Sequence, residues 1–147
     1  MPPTATSDRV GRVLIPLGGC LAVASAFVPW IGQGAGSTVA LHDLGDLVLG
    51  GTVSSMIPRW VGLAAYLIPA LGAAIVLLAG LHGRPARRAV VALTAVLAVL
   101  VVAAIVLPLA RDRRPDLGQL LAALGVLAIG AGLPMTASED GSVPSIR

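Results

Sequence analysis

Four long apolar segments without a charged residue make up most of the chain, and shorter polar stretches separate them. At about 1.5 Å of rise per residue, each segment would form a helix of roughly 28–33 Å, enough to cross a hydrocarbon core of about 30 Å. The segments are apolar on every side, as expected of helices that lipid and other helices surround. The pattern therefore predicts an all-α integral membrane protein, a bundle of four transmembrane helices. The predicted helices cover residues 13–31, 60–81, 89–110 and 117–135.

The connection formed by residues 32–59 is the one loop long enough to hold structure of its own. Its apolar residues recur at the spacing of one helix face, which predicts a short helix over about 41–49. Ser37 or Thr38 would begin this helix, and Gly50-Gly51 would end it. We expect it to lie on the bilayer interface or to fold over the end of the bundle. Its apolar face consists of Leu41, Leu44, Leu47 and Val48, with His42, Asp43 and Asp46 off that face.

Composition and charge agree with a membrane protein, since 56% of the residues are hydrophobic and only 12% are charged. Membrane lipids are expected partners, and nucleic acid is not. All ten basic residues are arginines, and a four-span topology divides them six to four. The side with more arginines is expected to be the cytoplasmic face of the inner (plasma) membrane. The tails 1–12 and 136–147 would then lie in the cytoplasm. That side carries Arg9, Arg12, Arg84, Arg87, Arg88 and Arg147, and the other carries Arg59, Arg111, Arg113 and Arg114.

The start of the chain has a second interpretation as a lipoprotein signal. Arg9 and Arg12 precede an apolar stretch, and the tetrapeptide at 17–20 resembles a lipobox ending in Cys20. However, the apolar stretch before the box is shorter than the usual ~7–15 residues, and the hydrophobicity continues beyond it. An uncleaved first helix is the favoured interpretation, with Cys20 as a small apolar residue.

The segment around His42 contains the only sequence cluster of a histidine with carboxylates. His42 and Asp46 are four residues apart, so both could reach one metal ion from a helix. Zinc in catalytic sites usually takes three protein ligands, and no second such group is near in the sequence. The alternative is a polar helix face in which Asp43 or Asp46 interacts with Arg59. We predict no catalytic residue and no cofactor, and treat His42 and Asp46 as weak metal candidates.

Small residues at intervals of four predict where helices approach one another closely. The third span has no glycine and is expected to face lipid. Isolated polar residues within the spans, Ser25, Tyr66, Thr94 and Gln119, are expected to bridge neighbouring helices. Pro16 and Pro69 would mark either kinks or helix discontinuities. The candidate packing residues are Gly18, Ala22 and Ala26 in the first span, and Gly118, Ala122, Ala128 and Gly132 in the fourth.

The order of features resembles small four-helix actinobacterial membrane proteins of the tryptophan-associated type. The resemblance covers roughly residues 10–135 and depends on "FVPW" at the end of the first span, a glycine-rich stretch and "LHDLGDLV". Arginine without lysine, together with abundant alanine, glycine and valine, fits a GC-rich genome. The resemblance implies the four-helix topology and carries no activity or substrate.

Function is expected to lie in binding, because the apolar spans contain no ionisable residue of the kind that proton- or ion-coupled transporters place in the membrane. We predict a non-catalytic accessory subunit that stabilises a larger integral-membrane complex. An envelope lipid importer of the mammalian-cell-entry type is the specific hypothesis, with a respiratory complex or a small autonomous channel or carrier as alternatives. An enzyme, metal-dependent or acting on lipid, is a further alternative. The predicted docking residues are Trp30, Leu41, Leu44, Leu47, Trp60, Arg113 and Arg114.

Overall fold

The computed structural model describes residues 5–30, 39–51, 59–81, 83–109 and 115–136. Within these ranges the chain is helical without a strand, and four of its helices are long and apolar enough to cross a membrane. The predicted all-α membrane bundle is thus confirmed. The helices are α1 (Ala5–Ala24), continued by a 3-10 turn (Ser25–Phe27), α2 (Leu41–Leu49), α3 (Arg59–Ala79), α4 (Arg84–Leu109) and α5 (Leu117–Met135).

Two helices begin earlier than the apolar pattern predicted. α1 begins at Ala5 rather than near residue 13, and α4 begins at Arg84 rather than at 89. The lack of charge delimits the part of a helix that lies in hydrocarbon, whereas hydrogen bonding continues into the polar flank. In α4, Pro85 occupies the first turn, where a missing N–H costs no intrahelical bond. Gly83, at φ +137°, forms the turn that precedes it.

α1 and α3 run through their internal prolines as single helices. No discontinuity therefore occurs at Pro16 or Pro69. The 3-10 turn after α1 ends where Val28 adopts an extended conformation (φ −107°, ψ 149°). Steric contact with the ring of Pro29 disfavours a helical conformation for the preceding residue.

The four spanning helices form a ring in which neighbours run antiparallel. α1 packs against α5 and α3, and α4 closes the ring by contacting both α3 and α5. The backbones of α1 and its two neighbours approach closely at glycines. A Cβ on Gly19 would lie 2.8 Å from the carbonyl oxygen of Gly72 on α3, and one on Gly125 of α5 would lie 2.7 Å from that of Gly18. Such approach maximises packing where lipid removes the hydrophobic advantage of helix contact.

The predicted packing residues fall mostly on these contacts. Ala128 is an exception, since it is only partly buried. The contacting face of α5 follows alternating steps of four and three residues, which passes through Gly125 and Ile129 instead of Ala128. Gly125 was not among the predicted residues, although it forms the closest approach to α1. The buried predicted residues are Gly18, Ala22 and Ala26 on α1, and Gly118, Ala122 and Gly132 on α5.

One polar residue of the interior joins two spans. The Gln119 Nε2 donates to the carbonyl oxygen of Ala104 on α4 at 3.0 Å. Ser25 and Thr94 were also expected to bridge helices, but each hydroxyl donates to a carbonyl of its own helix, at 2.7 and 2.6 Å. A bond of this kind satisfies a buried hydroxyl within its own helix. α4 is the least buried of the four spans, with 22% of its apolar window buried against 39% in α1, as expected for a span that faces lipid.

Antiparallel packing gives the bundle two chemically different ends. The first, which we call the basic end, is where α1 and α4 begin and α3 and α5 end. The second, the α2 end, is where α2 lies beside the 3-10 turn and the first turns of α3. Described charged side chains at the basic end are Arg9, Arg12, Arg84, Arg87 and Arg88, and at the α2 end Asp43, Asp46 and Asp116.

Candidate docking site

α2 is fixed to the bundle by a narrow face of small and aliphatic residues. Leu41 and Val48 are 3% and 0% exposed, and Gly45 lies between them. A Cβ on Gly45 would lie 2.5 Å from the ring of Tyr66 on α3, so the ring packs directly on the helix backbone. One turn earlier on α3, Gly62 receives the side chain of Val48. The helix therefore folds over the bundle end, one of its two predicted positions.

The bounds of α2 match the predicted range, but its start uses different chemistry. Ala40 is the N-cap, and its backbone N–H donates to the Asp43 carboxylate at 3.3 Å. This is half of a capping box, and the carboxylate also lies favourably at the positive end of the helix dipole. Ser37 and Thr38, the predicted caps, lie outside the described residues. Gly50 ends the helix as predicted.

The residues on either side of the segment 31–38 are joined before α2 begins. The backbone N–H of Trp30 donates to the carbonyl oxygen of Val39 at 3.2 Å, and Pro29 and Ala40 form an antiparallel bridge. The end of α1 and the start of α2 are thereby held together. This short link limits how far α2 can move from the bundle.

The exposed surface of α2 combines carboxylates with apolar side chains. Leu47 and Leu49 are 39% and 42% exposed. Phe27 of the 3-10 turn is more exposed, and its ring lies 5.6 Å from that of His42. We call this region the α2 surface; it consists of Phe27, His42, Asp43, Asp46, Leu47 and Leu49.

His42 joins the α2 surface to the end of α1. Its Nδ1 lies 3.2 Å from the carbonyl oxygen of Ala26, and its Nε2 lies 3.2 Å from an Asp43 carboxylate oxygen. A carbonyl oxygen can only accept, so Nδ1 carries the proton in this contact. Each ring nitrogen thus contacts an oxygen atom, one at the end of α1 and one in the first turn of α2. His42 therefore acts as a clamp between α1 and the first turn of α2.

Asp46 faces a different partner from His42. The Tyr66 hydroxyl donates to the Asp46 carboxylate and lies 3.4 Å from the carbonyl oxygen of His42. Of the two weak metal candidates, Asp46 is thus directed to α3 and His42 to the end of α1, rather than towards a common point. Among the described residues, no group of three His, Cys, Asp or Glu side chains is arranged to hold a metal ion.

Two of the predicted docking residues are buried in the fold. Leu41 is packed beneath α2, and Trp30 is 7% exposed. The Trp30 indole N–H donates to the carbonyl oxygen of Ser25 at 2.6 Å, and the ring lies against Gly118 of α5. Burial satisfies both the apolar ring and its single donor. Their assignment to a partner-facing surface is therefore corrected, because a partner would have to displace the fold to reach them.

Of the other predicted docking residues, the structure describes the side chains of Leu44 and Leu47. Leu44 is partly buried against the core, whereas Leu47 remains on the surface. The side chain of Trp60 and the whole of Arg113 and Arg114 lie outside the described part of the structure.

Phe27 and Tyr66 were not predicted as part of this site, although they are the only phenylalanine and tyrosine in the chain. A signal existed for Tyr66, since it follows Gly62 by four residues and so shares its helix face. Nothing in the sequence pairs either aromatic residue with the segment 41–49. Their contacts arise only when α2 folds back over the bundle.

Comparison with protein-family models, curated protein sequences and solved structures finds no match to this chain. The resemblance to four-helix actinobacterial proteins stays a prediction.

Proposed function

We propose that this multi-pass membrane protein is a non-catalytic accessory subunit that stabilises a larger membrane complex through its α2 surface. The observation that supports this proposal is the division of α2 into two sides. One side is locked onto α3 by Leu41, Gly45 and Val48, and the other presents exposed aliphatic side chains beside carboxylates.

A fixed helix is better suited to docking than a free one, because association then does not have to order it. His42 and Tyr66 contribute to this fixation, since they connect α2 to α1 and α3. The exposed Leu47 and Phe27 are the candidate apolar anchors. Interfaces concentrate their binding energy in a few such anchors. The neighbouring carboxylates favour a partner that supplies arginine or lysine at the rim.

We further propose an inner-membrane location with both chain termini in the cytoplasm. A four-span topology places six of the ten arginines on the side of the basic end and four on the side of the α2 end, which also carries Asp43, Asp46 and Asp116. Arginine near the ends of spans favours the cytoplasmic side. The α2 surface would then face outwards, towards the cell envelope.

The specific partner hypothesis is an envelope lipid importer of the mammalian-cell-entry type. It depends on the resemblance and on the composition typical of a GC-rich genome. A respiratory complex is the alternative within the same class. A small autonomous channel or carrier belongs to another class, and differs in that it would form no heteromeric complex.

The test is co-purification from native membranes with a tag at the C-terminal end. Gentle solubilisation followed by native electrophoresis should give a heteromeric high-mass band, whose partners mass spectrometry identifies. Leu47→Asp should remove the partner proteins while the variant still folds. Leu81→Asp is the matched control, because Leu81 is also exposed but lies at the basic end.

A small monomer or homo-oligomer as the only species would contradict the accessory role. Equal partner loss in both leucine variants would contradict docking through the α2 surface. Loss of the partner proteins on adding a chelator, or with His42→Ala but not with Leu47→Asp, would indicate a metal site instead.

A further inference from the structure

The residues of α4 that face the bundle continue to its first turn, where they end in an arginine. Val90, Thr94, Leu97 and Val101 form the buried stripe of the helix, in steps of four and three residues. Three residues before Val90, the same stripe reaches Arg87. Its neighbours Arg84 and Arg88 are exposed, whereas Arg87 is partly buried. The chain thus turns one guanidinium of the first turn towards the interior of the basic end.

The Arg87 side chain contains a donor that the described part of the protein leaves unsatisfied. Its Nε is buried and has no hydrogen-bond partner there. Guanidinium cannot lose its charge in a protein, so a buried N–H of this group requires an acceptor. The most suitable acceptor is an anion with two oxygens, which a guanidinium fork binds through parallel hydrogen bonds.

The surroundings of Arg87 favour an anion of high charge density. Five arginines are described at the basic end; the sequence assigns six arginines and three carboxylates to this side of a four-span chain, so its charge balance is positive. Clusters of four to eight basic residues at the end of membrane spans are typical of sites for anionic lipids. The exposed Leu81 and Val91 lie next to these arginines, so that an apolar chain could run along the helix surface above the charged group.

We infer that the basic end binds the phosphodiester headgroup of an anionic phospholipid, with Arg87 as the buried donor. Arg84 lines the approach, and the acyl chains lie on the exposed apolar face of α4. A lipid is favoured over free phosphate because the arginines lie where apolar spans end, at the level of headgroups. The inference does not depend on the proposed docking role, since it concerns the opposite end of the bundle.

The test uses the full chain in a mild neutral detergent and native mass spectrometry with added phosphatidylglycerol. Arg87→Gln should lower the fraction of protein with bound phosphatidylglycerol by at least about fivefold. Arg88→Gln is the matched control, because it removes the same charge from an exposed neighbour; its effect should stay below about twofold. Phosphatidylcholine should bind the native protein more weakly, because it carries no net negative charge.

A comparison of Arg87→Lys with Arg88→Lys distinguishes hydrogen bonding by the guanidinium group from the effect of positive charge alone. Lysine keeps the charge without the Nε donor, so Arg87→Lys should still weaken phosphatidylglycerol binding while Arg88→Lys should not. This pair also decides the matter if Arg87→Gln fails to fold, which circular dichroism would reveal. Equal losses at positions 87 and 88, equal binding of both lipids, or displacement of the lipid by millimolar inorganic phosphate would each overturn the inference.

Discussion

The indole ring of Trp30 lies against the backbone of Gly118, in the first turn of α5. A Cβ at Gly118 would overlap two atoms of the ring and would lie 3.1 Å from the carbonyl oxygen of Pro29. The Gly118 N–H also donates to that carbonyl at 3.2 Å. The chain that leaves α1 is therefore seated on the start of α5, and only glycine leaves room for it.

Gly118→Ala should destabilise the bundle by roughly 1–3 kcal/mol, the usual effect of overpacking a buried contact. Trp30 cannot move aside cheaply, since it is buried and bonded to Ser25. Gly130→Ala on the same helix is the control, because a Cβ there meets nothing within 4 Å. Thermal unfolding in detergent micelles, followed by circular dichroism, measures both. Equal melting temperatures for the two variants would contradict the contact.

Val48→Asp should release α2 from the bundle, because Val48 is fully buried and a carboxylate there would lose its water without a partner. Leu47→Asp should leave α2 in place, since Leu47 already faces out. Hydrogen exchange of the amides in α2, measured by mass spectrometry, should rise in the first variant only. A similar rise in both would show that α2 is held by a different face.

Asp43→Asn should have a mild effect on α2, for a different reason from the solvent exposure that the sequence indicated. The Asp43 side chain accepts from the Ala40 N–H, and the amide oxygen of asparagine can replace that acceptor. Asp43→Ala removes the acceptor and should cost about 1 kcal/mol of helix stability. Comparison of the two by amide exchange tests the cap. Equal effects would mean that charge, rather than the hydrogen bond, is important.

Gln119→Leu should reduce the stability of the α4–α5 contact by about 0.6 kcal/mol, the average for hydrogen bonds between membrane helices, and by no more than about 1.7 kcal/mol. It removes the bond to Ala104 and a second one from the Asp116 N–H at 3.1 Å. Thr94→Val is the control, because its hydroxyl donates only within α4. Unfolding by a denaturing detergent compares the two. A larger loss for Thr94→Val would contradict the bridging role of Gln119.

The proposed orientation predicts which end of the bundle an impermeant thiol reagent reaches in whole cells. With Cys20→Ser as background, a cysteine at Asp43 should be labelled and one at Arg84 should not. Both positions are exposed, so reactivity reports the side of the membrane. Labelling at Arg84 alone would invert the topology, and would place the basic end outside.

More of the fold than of the site could be predicted from the sequence. The spans depend on local hydrophobicity, whereas the site depends on contacts between residues far apart in the chain. The absence of charge over about twenty residues is a local property, and it is enough to locate α3 and α5. The burial of Trp30 depends on Gly118, which is 88 residues away in the chain (118 minus 30). The sequence suggested Trp30 as a docking residue, and only the packing of α5 makes it a core residue.

The surface of α2 was predicted in part for the same reason. Helical spacing places Leu41 and Val48 on one face, and both are buried. Leu47 was grouped with them, but the face turns towards Gly45 because the ring of Tyr66 needs a position without a side chain. The spacing of apolar residues does not indicate that a glycine such as Gly45 will contact an aromatic ring.

The close backbone contact between α1 and α5 has a consequence for how the protein is made. α1 is synthesised before α5, and α2, α3 and α4 lie between them in the chain. Until α5 arrives, the face of α1 that contains Gly11 and Gly18 has no helix to cover it, since both glycines approach only α5. Closure of the ring is therefore a late step of biogenesis. Until that step, the glycine backbone of α1 is open to lipid along the seam that α5 later covers.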